Sequence, residues 1–149
     1  MFWKSFAICA MRKIYATIRL INTRDVVLAD AKAMDKAAIR SLELSILVDS
    51  GAYHLAINET IKEQLGLPII DEQVFELANG QQEKYPIVGP IDIQFKNRAT
   101  TTRAVLLPGD NEPLLGQIPL EDMDVVLLPR EEKMIVNPKT PLIARKELK

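Results

Sequence analysis

The sequence predicts a mainly β fold with one or two short helices, and three observations carry that prediction. Apolar and polar residues alternate with period two in several stretches, most clearly Ile14, Ala16, Ile18 and Leu20 against Tyr15, Thr17 and Arg19, which marks a half-buried strand. Turn dipeptides such as Ser50-Gly51, Asn79-Gly80, Gly89-Pro90 and Pro108-Gly109 punctuate the chain; these residues supply the backbone angles that turns demand. Helical spacing appears only in short runs. At 149 residues the chain is one domain by size, and a domain of that length buries roughly 70% of its unfolded surface, enough for an unaided core.

Taken in order, the strand from Ile14 to Ile21 ends at Asn22-Thr23. Val26-Val27-Leu28 reads as a short strand, and the Ala-rich run from Ala29 to Arg40 as a short helix or helical turn making a surface excursion. Leu42, Leu44 and Ile46 alternate with Glu43 and Ser45 and lead into Leu47-Val48-Asp49. Leu55-Ala56-Ile57 continues extended. Asn58 then caps a helix from Glu59 to Leu65, with Ile61 and Leu65 on one face and Gly66 at its left-handed stop. Val74 to Ala78 and Gln81 to Val88 flank Asn79-Gly80 as a hairpin with a type I′ turn. Gly89-Pro90 breaks the run, Ile91, Ile93 and Phe95 form another one-faced strand, and after a turn at Lys96-Asn97-Arg98 the stretch from Ala99 to Leu107 returns. Pro119 to Met123 makes one helical turn started by its proline. Val125 to Leu128 and Met134 to Val136 are short strands, and a Pro- and Lys-rich tail follows from Asn137.

Composition narrows the function. Hydrophobic residues at 48% and a net charge of −1 describe an ordinary globular protein, and 19 basic residues matched by 20 acidic ones give no electrostatic footprint for nucleic acid or for an acidic membrane surface. A single cysteine, Cys9, allows no intramolecular disulfide and suits a reducing, cytoplasmic setting. With His54 the only histidine, a zinc site of the usual Cys/His kind is not expected. Residues Met1 to Ala10 are apolar around Lys4, too short for a membrane span and without the cleavage site of a signal peptide. Two readings stand: Met11 is the native start, or residues 1–10 are a loose tail. The remaining divisions are a domain over 11–137 and a C-terminal tail over 138–149.

The stretch around which the rest is organised is Ile46-Leu47-Val48-Asp49-Ser50-Gly51-Ala52. An apolar strand here delivers a carboxylate at its C-terminal end. Ser50 offers a hydroxyl, Gly51 lets the backbone turn or approach another chain closely, and Ala52 keeps the surroundings small. On these residues alone, a strand ending in a turn with a solvated Asp fits as well. Pro113-Leu114-Leu115-Gly116 repeats the apolar-run-then-glycine unit without the carboxylate, which hints at a structural duplication.

Asp49-Ser50-Gly51-Ala52 after an apolar strand, a hairpin about thirty residues on, and Leu114-Leu115-Gly116 before a short helix together resemble the retropepsin-like aspartic proteases. The likeness runs from Ile14 to Val136 and is closest to the small single-domain prokaryotic members. It implies a retropepsin-like half-barrel, a homodimer, and one catalytic carboxylate per subunit, Asp49, with no cofactor and no metal. By position, Ser50 matches the hydroxyl residue that bonds across the dimer axis, and Gly51 and Ala52 complete the loop. Leu115 and Gly116 match the unit packed beneath it, and Ala78, Asn79 and Gly80 fall at the tip of the substrate-covering flap. Two departures stand out: Tyr53 and His54 occupy positions where many retropepsins carry a second acidic residue, and the flap tip holds one glycine.

Carboxylate-driven peptide hydrolysis needs one group to accept a proton from water and another to donate one to the amide. One Asp49 cannot do both; two facing each other across a twofold axis can, because like charges that close share a proton. The function expected is aspartic-type endopeptidase activity on a peptide or protein substrate. The competing expectation is a non-catalytic dimeric module that keeps the fold and binds a peptide or partner. A serine-hydrolase reading fails because Ser50 lacks a Gly-x-Ser-x-Gly context and His54 lacks an evident orienting partner. Asp122 and Asp124 read as solvated turn charges.

Overall fold

The computed structural model describes residues 13–148, and the readings made on Met1 to Arg12, Cys9 included, lie outside them. Among the described residues, nine strands alternate with three α-helices, so the fold is mixed β/α and the expectation of a mainly β chain with one or two helices is corrected.

Strand β1 (Ile14–Asn22) keeps its alternating face buried and runs antiparallel to β2 (Ser41–Val48), from Ile14 opposite Val48 to Ile21 opposite Ser41. Between them lie α1 (Thr23–Asp30) and a 3-10 turn, Lys36–Ala38. Val26-Val27-Leu28 is therefore helical, not a strand, and of the short helix or helical turn expected over Ala29 to Arg40 the structure has the turn, with Ala29 and Asp30 closing α1. The cause is a buried polar lock. Asn22 caps α1 by accepting from the Asp25 amide at 3.1 Å and donates its own side-chain N–H to the Leu65 carbonyl at 2.8 Å. Buried Asp25 receives Arg40 Nε and Nη2, each at 2.9 Å, and the Arg40 backbone N–H at 3.0 Å. These tertiary bonds override the β preference of two valines.

Strand β3 (Leu55–Ile57) precedes α2 (Glu59–Leu65), which starts and stops where its cap residues dictate: Asn58 accepts from the Ile61 amide at 3.0 Å, and Gly66 is left-handed at φ 62°. Strands β4 (Ile69–Glu76) and β5 (Gln82–Phe95) form the hairpin, and β6 (Arg98–Leu106) returns along β5. Gly89-Pro90 does not end β5; its pairing with β6 shifts register between Val88 and Ile91 and continues. Arg98, expected in a turn, is buried at the start of β6. Then come β7 (Leu114–Leu115), α3 (Gln117–Met123), β8 (Val125–Leu128) and β9 (Lys133–Val136). Helix α3 begins two residues before Pro119, which sits in the first turn, where a missing N–H costs nothing.

The main sheet has the order β1-β2-β7-β3-β6-β5-β4, while β8 and β9 pair separately. The expected half-barrel is corrected: the sheet is not closed into a barrel. Its reason lies in β5, a strand of 14 residues that serves different neighbours along its length. The first half carries β4, whose outer edge is unpaired, and only its far end also meets β1, over Arg19 opposite Gln94 to Asn22 opposite Ile91. Beneath the sheet the core gathers Leu20, Ile46, Leu55, Leu65, Ile93, Leu115 and Met123, all with no exposed surface.

Candidate active site

Residues 49–54 leave β2 and return into β3, and β7 is threaded between those two strands. It runs parallel to β2, with Leu47 opposite Leu114 and Val48 opposite Leu115, and antiparallel to β3 at Ala56. Four backbone hydrogen bonds pin the loop. Asp49 N donates to the Leu115 carbonyl at 3.0 Å, Ala52 N to the Asp49 carbonyl at 3.1 Å, Gln117 N to Ala52 O at 2.7 Å, and Ile118 N to Tyr53 O at 2.9 Å. The loop is thus held from beneath by β7 and the first turn of α3, the Leu115-Gly116 unit singled out in sequence.

Gly116 explains why that unit must end in glycine. A Cβ built on it meets His54 O at 2.5 Å, His54 N at 2.6 Å and Tyr53 C at 2.7 Å, all backbone atoms. Its φ of −94° is ordinary, so contact and not conformational freedom requires glycine here. Above this floor Asp49, Ser50 and Gly51 are exposed and Ala52 is half-buried. Asp49 Oδ1 accepts the Gly51 N–H at 2.9 Å, which fixes the carboxylate's direction. A side chain at Gly51 would stand 3.2 Å from that oxygen.

Ala78, Asn79 and Gly80 form the exposed tip of the β4–β5 hairpin. The turn is not type I′, since positive φ occurs at Gly80, at 85°, and not at Asn79. Instead Gly80 N donates to Leu77 O at 2.9 Å and Leu77 N to Gln81 O at 2.7 Å, while the Asn79 side chain accepts from Gln81 N at 2.9 Å. One left-handed residue suffices for this longer turn, which is why a single glycine serves. The hairpin meets the loop through the tip end of β4: the His54 ring lies 5.9 Å from Phe75, edge-on, and Phe75 lies 5.8 Å from Tyr85. His54 therefore packs against the hairpin, and no hydrogen bond joins it to Ser50 among the described residues.

Sequence reasoning missed the role of Asp124. It stands at the C-terminal end of α3 in the left-handed region, φ 56°, and accepts from Thr140 Oγ1 at 2.6 Å, Asn137 Nδ2 at 2.9 Å and Arg145 N at 2.9 Å. These bonds, that of the Arg145 backbone foremost, hold its carboxyl down to about 2, well below the usual carboxylate range. Buried Arg98 reaches the same segment through Thr140, and Lys146 pairs with Asp122 at 3.0 Å. Residues following β9 are thus strapped across the end of α3, a connection that no local pattern announces.

The arrangement is an exposed carboxylate on a Ser-Gly turn, cradled by an apolar-apolar-Gly strand threaded between the strands that flank it. The chain belongs to the aspartyl protease family, whose model, described as Aspartyl protease, matches residues 36–135. That span includes the loop, the hairpin, β7 and α3. No curated protein matches the sequence. Among the described residues no helix is long and apolar enough to cross a membrane.

Proposed function

We propose that the chain is an aspartic-type endopeptidase whose catalytic unit is a homodimer, with one Asp49 from each copy. The observation that carries this reading is the Asp49-Ser50-Gly51 turn, exposed at its carboxylate yet fixed from below by Leu115 and Gly116. A lone surface Asp needs no such floor. Two of these turns meeting across a twofold axis form an isologous contact, with Ser50 hydroxyls bonding across the axis and the loops brought close at Gly51. The strand pair β8–β9, whose β8 residues are all half-buried, and β1 are the surfaces that extend the contact.

In that arrangement the two carboxylates hold one proton between them. The ionised member takes a proton from water, the water oxygen attacks the peptide carbonyl, and the protonated member donates to the carbonyl oxygen and then, after redistribution, a proton reaches the leaving amine. No covalent enzyme intermediate forms, so Ser50 is a supporting hydroxyl. Ala78, Asn79 and Gly80 cover the peptide from the hairpin side, and the chemistry calls for neither metal nor cofactor.

The test is mass-spectrometric detection of cleavage in a diverse peptide mixture between about pH 4 and pH 7, comparing wild type with Asp49→Asn. Cleavage by wild type and none by the variant is the expected result. Equal cleavage by both refutes the role of Asp49. Silence from both at concentrations where the dimer is demonstrated favours the non-catalytic binding module, and activity that stays proportional to protein when only monomer remains refutes the shared site.

A further inference from the structure

A second feature adjoins the loop. Between the loop, the hairpin strands, β6 and the first turn of α3 lies a groove of about 230 Å³, lined by His54, Gln73, Ile87, Thr102, Arg103 and Ile118 among others. Part of its wall belongs to the proposed catalytic apparatus, and the rest is β6. His54 is part of the 49–54 loop, Gln73 and Ile87 come from the two hairpin strands, and Ile118 is tied to the loop through Tyr53 O at 2.9 Å.

Its lining carries no carboxylate, and its one permanent charge is Arg103. Arg103 leans on Asp71 of β4 with Nη1 3.4 Å from Oδ2, both side chains roughly half-exposed at 52% and 43%. Asp71 is itself shared, receiving the Glu72 N–H at 2.8 Å and Gln73 Nε2 at 3.4 Å. An exposed, single-contact pair of this kind contributes little. A ligand carboxylate can therefore take over the guanidinium, whose planar fork accepts a carboxylate through two N–H groups.

We infer that this groove is a subsite for an acidic side chain, Asp or Glu, of the bound peptide. The inference rests on the peptidase reading and adds the substrate's chemistry to it. Arg103 supplies the charge, the His54 ring and the Gln73 amide supply further donors, and Ile87 and Ile118 cover the methylene stem. Asp71 acts as the internal competitor that keeps Arg103 in place when the groove is empty.

The experiment compares peptide pairs identical except for Glu or Gln at one position, scanned through the positions flanking the cut. Wild type is expected to favour Glu at one position by roughly threefold to tenfold in kcat/KM, the size of a partly exposed charge contact, and to lose that preference as salt is raised. Arg103→Gln should bring the Glu/Gln ratio towards one, and Asp71→Asn should raise it. The inference is overturned if wild type cleaves with no such preference, or if the preference survives Arg103→Gln. If no peptide is cut, the peptidase reading has failed and the groove is judged by binding alone, from fluorescence anisotropy of the same labelled pairs: a Glu preference abolished by Arg103→Gln upholds the subsite, and equal binding of the pair overturns it.

Discussion

Replacing Gly116 by alanine tests whether the floor beneath the loop positions the carboxylate. The added methyl lands on three backbone atoms of Tyr53 and His54, the nearest at 2.5 Å. Side-chain carbons essentially never come within 3.0 Å of such atoms, so the loop must retreat by at least 0.5 Å. None of the three is the movable end of a side chain, and two adjoining hydrogen bonds, Gln117 N to Ala52 O and Ile118 N to Tyr53 O, resist the retreat. Overpacking of this kind costs about 1–3 kcal/mol. Since a misplacement of about 1 Å costs on the order of a hundredfold in rate, half of that predicts a loss of about tenfold in kcat from a residue that touches no substrate. The assay pairs urea unfolding with cleavage of the best peptide, measured under conditions where the variant is fully folded. Wild-type stability together with wild-type kcat would refute the reasoning, since it would mean the loop does not depend on its floor.

Three further outcomes are expected. Asp25→Asn keeps the shape of the buried lock but removes the charge that receives Arg40, and should lower the unfolding free energy by about 1–3 kcal/mol in urea titration; an unchanged midpoint would show that the lock does not hold α1. The side-chain bond from Arg40 holds Asp25 below its ordinary value of 3.8 against the opposing effect of burial, so its contribution is complete above that pH and disappears as the pH falls through the lower folded value. Asp124 follows the same sign: its share of stability is present above 3.8 and is lost as pH falls towards about 2. In an Asp49→Asn background, hydrogen exchange at Thr140 and Arg145 should accelerate across that window, and in Asp124→Asn it should be fast throughout.

Local pattern was a good guide wherever a segment's neighbours agree with it. Strand β1 could be read from Ile14, Ala16, Ile18 and Leu20 because one face of it packs on the core. Helix α2 could be read from Asn58 and Gly66 because its caps are its own residues. Asp49-Ser50-Gly51 and Leu115-Gly116 each stand out as short motifs, but the backbone bonds that join them span the chain and no local pattern shows them. What stayed illegible was decided at a distance. Val26-Val27-Leu28 turned helical through bonds from Asn22 and Asp25 to residues far along the chain. The half-barrel gave way to a sheet whose last strand, β4, has an unpaired outer edge, and β5 runs on through Gly89-Pro90, which local pattern marks as a break. Asp124 looked like a solvated turn charge, and its three partners lie 13 to 21 residues away. Arg98 shows the same limit, since nothing near it in sequence predicts a buried cation.

The threading of β7 between β2 and β3 has a consequence for when the molecule becomes competent. The amide of Asp49 is anchored on the carbonyl of Leu115, so the loop that bears the carboxylate has no floor until the second half of the chain has folded back through the first. Contacts of such sequence separation form late, because the loop they close must be ordered first. A growing chain therefore carries its acid long before the backbone beneath it is held in place. The order of the strands thus sets an order of assembly, in which the turn comes first and its support last.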